Sequence, residues 1–310
     1  MVIGNMNDLV TNIKNLELET IKNLKNSKSL NTLRAYQSDY KDFLLFCSKN
    51  GFQAMPTQPK ILSIYLTHLS SFSKYSTLKR RLASISILHK TKGHYIDTKH
   101  PVIIENLMGI KRRNGSNQKG KKPILINDLK KIIKSIHESK EKSLKKVRDK
   151  ALVLIGFSGG FRRSELVSLE FEDIEFVSEG VKIFVKRSKT DQSGEGMTKA
   201  IPYFDNHNFC PVLALKNWME LIDIKNGKIF NISDKNVALI IKKYANHAGL
   251  DSNKYAGHSL RSGFATSTAE SGADERNIMA MTGHKSTEMV RRYIKEANLF
   301  KNNALNKIKF

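Results

Sequence analysis

Apolar residues recur along most of this chain every three or four positions, the period of a helix packed on one side. Leu33, Tyr36, Tyr40, Phe43, Leu44 and Cys47 form one such stripe and predict a helix over residues 31–48. Pro59 suits the first turn of a second helix, carrying Ile61, Leu62, Tyr65 and Leu69. Ser76 is the expected cap of a third, with Leu78, Leu82, Ile85 and Leu88 inward and Lys79, Arg80 and Arg81 outward. Pro101 opens a fourth with Ile104, Leu107 and Met108. Together these predict a small all-α domain over residues 17–110, preceded by an extension over 1–16. Residues 111–123, KRRNGSNQKGKKP, break the pattern and read as a basic linker.

Helical spacing returns over residues 124–310. Leu129, Ile132, Ile133 and Ile136 mark a helix with Asn127 as its expected cap, and residues 147–158 are apolar enough to lie at the centre of a core. The period then changes to two. Ile174 and Phe176, then Val181, Ile183 and Val185, alternate about Ser-Glu-Gly and predict a hairpin, with a third strand over Lys199–Phe204. Further helices are expected over Val212–Ile222, Ser233–His247, Ser259–Ser271, Asp274–Thr282 and Ser286–Ala297. The fold class is therefore mostly α with a small antiparallel β-sheet, in two domains.

Charge adds the first functional clue. Lys and Arg total 53 against 29 Asp and Glu, a net +24, and such a field draws polyanions, nucleic acid foremost. The alternative is a solvated basic surface from a lysine-rich proteome. No apolar run reaches the ~18 residues of a membrane span, and the N-terminus lacks a signal-peptide layout. Cys47 and Cys210 are too few for a disulfide framework or a zinc site, which fits a reducing cytosol. Gly115–Lys121 matches the start of a P-loop. Lys122 stands where Ser or Thr would bind magnesium, however, and no strand precedes it, so no nucleotide site is expected.

Four short segments carry candidate chemistry. In GGFRRSEL, Arg162 and Glu165 are spaced to share a helix face; alone they read as a surface ion pair. In RSKT, Lys189 projects from a turn and alone reads as a solvated lysine. In GHSLRSG, His258 stands where a helix starts, with Arg261 one turn on, and alone could be a capping residue. In GHKSTEMVRRYI, His284 is followed nine residues later by Tyr293, whose helical spacing alone makes it a core tyrosine.

Taken in order, Arg162, Lys189, His258-Ser-Leu-Arg261, His284 and Tyr293 resemble the tyrosine recombinase (phage integrase) family, most similar to its Cre and Xer-type members. The resemblance runs from about residue 30 onward, and Arg163 is a departure where the family more often has an apolar residue. It implies a two-domain DNA clamp: a helical, SAM-like core-binding domain, the linker, and a catalytic domain over 124–310. It implies site-specific recombination through a 3′-phosphotyrosine and a Holliday junction, with no metal or other cofactor. Arg162 and Arg261 would fork onto the phosphate, and His258 and His284 would donate or accept protons. Lys189 would be the acid for the leaving oxygen, and Glu165 would hold the cluster. Lys79, Arg80, Arg81, Lys111, Arg112, Arg113, Lys121 and Lys122 are expected on DNA phosphates.

The expected partners are double-stranded DNA and copies of the chain, two on each site and four in synapsis, in the cytoplasm on the nucleoid. Leu299, Phe300, Ala304, Leu305 and Ile308 continue a helical stripe, and the resemblance implies a C-terminal helix donated to a neighbouring protomer; packing onto its own domain is the alternative. Two other functions stay open: DNA relaxation of the type IB topoisomerase kind, and a catalytically idle DNA-binding accessory protein.

Overall fold

The structure, a computed structural model, describes residues 13–20, 22–23, 27–116, 120–186, 195–223, 225–297 and 304–308. The chain divides into two compact units, Met1–Lys119 and Gly120–Phe310. Among the described residues no helix is long and apolar enough to cross a membrane.

The first unit is built from α1 (Leu30–Lys49), α2 (Pro59–Ser70), α3 (Tyr75–Thr91) and α4 (Pro101–Asn114). Phe43, Cys47, Leu62, Tyr65, Leu78 and Ile85 lie in its core. A fully buried side chain of this size contributes about 1.5–3 kcal/mol through removal from water. The stripes differ from expectation in detail. Leu44 is exposed, while Asp39 is buried against Arg80 and Ser84. In α4 the inner face is Ile103, Leu107 and Ile110, and Ile104 and Met108 face solvent. Ser76 is not the cap of α3; Lys74 occupies that position and makes no side-chain cap bond. Helix α4 runs on through Lys111, Arg112 and Arg113, residues expected in the linker. Cations in the last turn complement the helix dipole, which favours this extension.

The second unit opens with α5 (Ile126–Glu138), capped at Leu125 and not at Asn127, and α6 (Ser143–Ser158). The apolar stretch of α6 is buried as its composition predicts, with Leu152, Val153 and Ile155 out of water. After α7 (Arg163–Ser168) come β1 (Ile174–Val177), β2 (Gly180–Val185) and β3 (Met197–Pro202). They form one antiparallel sheet in the order β1-β2-β3, with Ile183 opposite both Ile174 and Lys199. The third strand thus ends two residues before the expected Phe204. Gly180 is required by that sheet, because a Cβ there would lie 2.1 Å from the Ile201 carbonyl oxygen.

The helices α8 (Pro211–Ile222), α9 (Asp234–His247), α10 (Ser259–Glu270), α11 (Glu275–Thr282) and α12 (Thr287–Ala297) complete the unit. Ser233 caps α9 by accepting from the Asn236 amide. Helix α10 is central: Ile124 N donates to Ser259 O at 3.0 Å on one side, and α6, α11 and α12 pack on others. Leu299 and Phe300, expected in the C-terminal stripe, lie outside the described residues. Ala304–Lys307 form a short 3-10 turn, not a continuing α-helix, and Leu305 and Ile308 are exposed.

Candidate active site

The turn Gly159-Gly160-Phe161 ends α6 and delivers Arg162 to the start of α7. Gly160 has φ +55°, a left-handed conformation that glycine adopts at little cost. Arg162 precedes the first residue of α7, and Glu165 reaches back to it. The Arg162 backbone N donates to Glu165 Oε2 at 2.9 Å, and Arg162 Nη1 donates to Oε1 at 2.5 Å. Only 2% of the Glu165 side chain is exposed, so this is a buried pair and not the surface ion pair its spacing alone suggests.

Helix α10 brings the next two groups. His258 is its N-cap and Arg261 lies on its first turn. Arg261 is fully buried, and its Nη1 donates to the Gly160 carbonyl at 2.9 Å. Its Nε and Nη2 are also buried and have no hydrogen-bond acceptor among the described residues. A buried donor without a partner costs roughly 1–3 kcal/mol, and more when charged. Burial and the nearby Arg162 push the Arg261 pKa down to about 10, with Glu165 and Tyr293 opposing. His258 is reachable by solvent, yet desolvation and then Arg261 and Arg162 lower its pKa. Arg163, the departure from the family pattern, lays its stem on the next segment: a Cβ on Gly257 would lie 1.9 Å from Arg163 Cδ.

Helix α11 ends at Gly283, φ +63°, which turns the chain into His284. Arg162 Nη2 approaches the Gly283 carbonyl at 3.5 Å. The His284 pKa is pushed down to about 4 by burial first, then by Arg261, Arg162, His258 and Lys199. On α12, Tyr293 is 7% exposed and packs with Ala265, Ala269, Ile278 and Val290. Its ring centroid is 6.1 Å from that of His284. Arg162, Glu165, His258, Arg261, His284 and Tyr293, spread over more than 130 residues of sequence, thus share one site. Lys189 lies outside the described residues.

One member of the cluster is not apparent from the sequence. Lys199, on β3, is fully buried, with Nζ donating to the Gly159 carbonyl at 2.6 Å and to the Met281 carbonyl, 4.5 Å from the Phe161 ring centroid. Burial pushes its pKa down to about 7; Arg261 and Arg162 push the same way and Glu165 opposes. The one available signal is the strand alternation, which puts Lys199 on the same face as Ile201.

The residues expected on DNA are less uniform. Lys79, Lys111 and Arg112 are exposed. Arg80 bonds Asp39, and Arg81 bonds Asp42 and the Tyr65 hydroxyl. Arg113 donates to Ser70 Oγ at 3.0 Å. Lys121 donates to the Asn253 carbonyl at 2.6 Å, and Lys122 pairs with Asp128 at 3.0 Å.

An unsatisfied arginine fork beside a second arginine, two histidines and a tyrosine is the equipment of a tyrosine recombinase, and comparison with known proteins agrees. Residues 124–299 match the phage integrase family. An integrase/recombinase XerD homologue of Selenomonas ruminantium is 41% identical over 317 aligned positions, which cover 97% of this chain and 92% of that protein. The chain belongs to the phage integrase family and is a tyrosine site-specific recombinase. Solved structures share the fold. The XerH site-specific recombinase, in a post-cleavage complex with palindromic difH substrate, aligns with TM-score 0.62 and 19% identity over 80% of this chain and 74% of that one. A lambda integrase tetramer bound to a Holliday junction aligns with TM-score 0.57 and 17% identity over 91% and 75%.

Proposed function

We propose that this chain cleaves and rejoins DNA strands through a covalent 3′-phosphotyrosine on Tyr293, and exchanges strands through a Holliday junction. The single observation that carries this reading is the buried Arg261 fork, whose Nε and Nη2 have no acceptor among the described residues. A phosphate oxygen would satisfy both.

In this reaction the Tyr293 hydroxyl oxygen attacks phosphorus and the bond from phosphorus to the 5′ oxygen breaks. A phenol with an ordinary pKa near 10 must lose its proton as it attacks, and His258 receives it. Lys189 protonates the departing 5′ oxygen. Arg162 and Arg261 hold the non-bridging oxygens, whose charge grows in the transition state. Glu165 keeps Arg162 extended toward them. The covalent link stores the phosphodiester bond, and a 5′-hydroxyl from the partner strand reverses the chemistry to complete exchange.

Exposed Lys79, Lys111 and Arg112 are proposed to contact phosphates, with two chains on each site and four in synapsis. The lambda integrase tetramer on a Holliday junction supports that assembly by likeness of fold. The test is a nicked suicide duplex carrying the chain's recombination site. Wild type accumulates a covalent protein–DNA product, and Tyr293→Phe binds the duplex but forms none. Covalent product persisting in Tyr293→Phe sinks the assignment.

A further inference from the structure

A lysine with no solvent exposure is rare unless its ammonium has partners that replace water. Lys199 has two, both backbone carbonyls, and they belong to different turns. The Gly159 carbonyl lies in the turn that delivers Arg162, whose next carbonyl, Gly160 O, accepts from Arg261 at 2.9 Å. The Met281 carbonyl lies one residue before Thr282, in the last turn of α11 that delivers His284. Phe161 forms the floor, its ring centroid 4.5 Å from Nζ. That ring fits there because Gly159 has no Cβ; one would lie 2.1 Å from it. β3 itself carries none of the other groups of the site; Lys199 reaches it through hydrogen bonds, and Met197, on the same strand, packs beside Gly283.

We propose that Lys199 is a positioning residue: its amine ties the Gly159 and Met281 carbonyls together and so fixes the spacing between the Arg162–Arg261 pair and His284. The inference rests on the strand-cleaving reading of this site. Two N–H bonds suffice for the clamp, so it holds whether the amine carries a charge or not. The charge has a separate effect, because Arg162 and Arg261 lie near and Glu165 is the carboxylate that offsets all three. A second tie between the two turns is the 3.5 Å approach of Arg162 Nη2 to Gly283 O. A shift of about 1 Å in a group that must meet a phosphate costs roughly a hundredfold in rate.

The test uses the full chain with Lys199→Met, which keeps length and removes both donors, and Lys199→Arg, which restores donors. Lys182→Met, an exposed lysine on β2, is the control and leaves cleavage unchanged. Lys199→Met is expected to bind the recombination-site duplex within about threefold of wild type and to form covalent product roughly a hundredfold more slowly, with Lys199→Arg recovering at least about tenfold of that loss. Cleavage by Lys199→Met within about threefold of wild type overturns the clamp. Should Lys199→Met fail to melt cooperatively, Lys199→Arg decides: cleavage within about tenfold of wild type supports the clamp and a greater loss overturns it. Absence of covalent product from wild type defeats the proposed function instead. Hydrogen exchange then reads the clamp alone: amides of 159–162 and 281–284 exchange at least about tenfold faster in Lys199→Met than in wild type, with Lys199→Arg close to wild type, and unchanged exchange in Lys199→Met overturns it.

Discussion

The hydroxyl of Thr282 lies 2.7 Å from His284 Nδ1 and donates its hydrogen to the Ile278 carbonyl at 2.5 Å. A hydroxyl has one hydrogen, so in the first of these bonds Thr282 accepts and His284 Nδ1 carries the proton. With its pKa pushed down to about 4, chiefly by burial and then by Arg261, the ring is neutral at pH 7. Its Nε2 therefore presents a lone pair. His284 enters the proposed cycle as an acceptor and becomes a donor once a bound phosphate supplies negative charge.

Thr282→Val keeps the buried shape and removes the oxygen that fixes this tautomer. We expect covalent cleavage to fall by roughly tenfold or more with DNA affinity unchanged, since the hydrogen bond on one ring nitrogen sets the state of the other. The pH dependence has a definite sign. Below its unfolded value of 6.5 His284 takes a proton readily when unfolded and not when folded, so its stabilisation is complete above 6.5 and lost as pH falls toward 4. In urea melts at pH 7 and pH 4, wild type should lose roughly 2 kcal/mol more than His284→Phe, allowing for screening of a partly exposed ring. Equal losses would refute the shift.

Glu165 is the carboxylate that raises the pKa of both Arg261 and Lys199 while binding Arg162 directly. Glu165→Gln preserves volume and removes the negative charge. Removing one partner of a buried ion pair typically costs about 3–5 kcal/mol, because the other charge stays behind. We expect a loss at the lower end of that range by urea unfolding, and slower covalent cleavage. A variant as stable as wild type would show that Arg162 is compensated elsewhere.

Much of this was legible in the sequence because the family's motifs are local: His258 with Arg261, and His284 with Tyr293, each fall within a few turns of helix. The helical stripes and the hairpin period were legible for the same reason. What escaped depends on residues distant in sequence. The partner of Arg81, Asp42, is 39 residues away, so a basic triplet expected on DNA phosphates is partly bound within its own unit. Lys199 enters the sequence reading only as the start of a strand, because the carbonyls of Gly159 and Met281 that close around it are distant in sequence. Ser76 and Asn127 are good capping types, yet the helices start earlier, at Tyr75, which packs on the core of its unit, and at Ile126, which is exposed.

Gly263 is buried in α10 where the helix meets the segment that leads into α5. A Cβ there would lie 2.0 Å from the Ile124 carbonyl oxygen and 2.8 Å from its carbon. Backbone cannot rotate away as a side chain can, and Ile124 N is itself bonded to Ser259 O. Gly263→Ala, usually favourable within a helix, should here destabilise the chain by about 2–3 kcal/mol in urea unfolding. Because His258 and Arg261 ride on the same helix, cleavage should fall further than stability alone explains. A neutral or stabilising effect would mean that α10 can move away from Ile124 freely.

The basic triplet of α3 allows two roles to be separated by salt. Lys79 is exposed, whereas the Arg81 side chain is 18% exposed and bonded to Asp42 and Tyr65. Neutralising one phosphate fewer lowers the slope of log affinity against log salt by about 0.9. Lys79→Ala should therefore reduce that slope by roughly one and leave stability within about 0.5 kcal/mol. Arg81→Ala should do the reverse, costing about 1–2 kcal/mol through the charge-assisted bonds it takes from Asp42 and Tyr65, which keep only the bond from the Tyr65 hydroxyl to Asp42 Oδ2 at 2.6 Å, while changing the slope little. Titrations of labelled duplex at several salt concentrations, beside urea melts of both variants, measure the two quantities. If Arg81→Ala gives the larger slope change, the Asp42 pairing yields to phosphate when DNA binds, and Arg81 belongs with the residues that bind DNA.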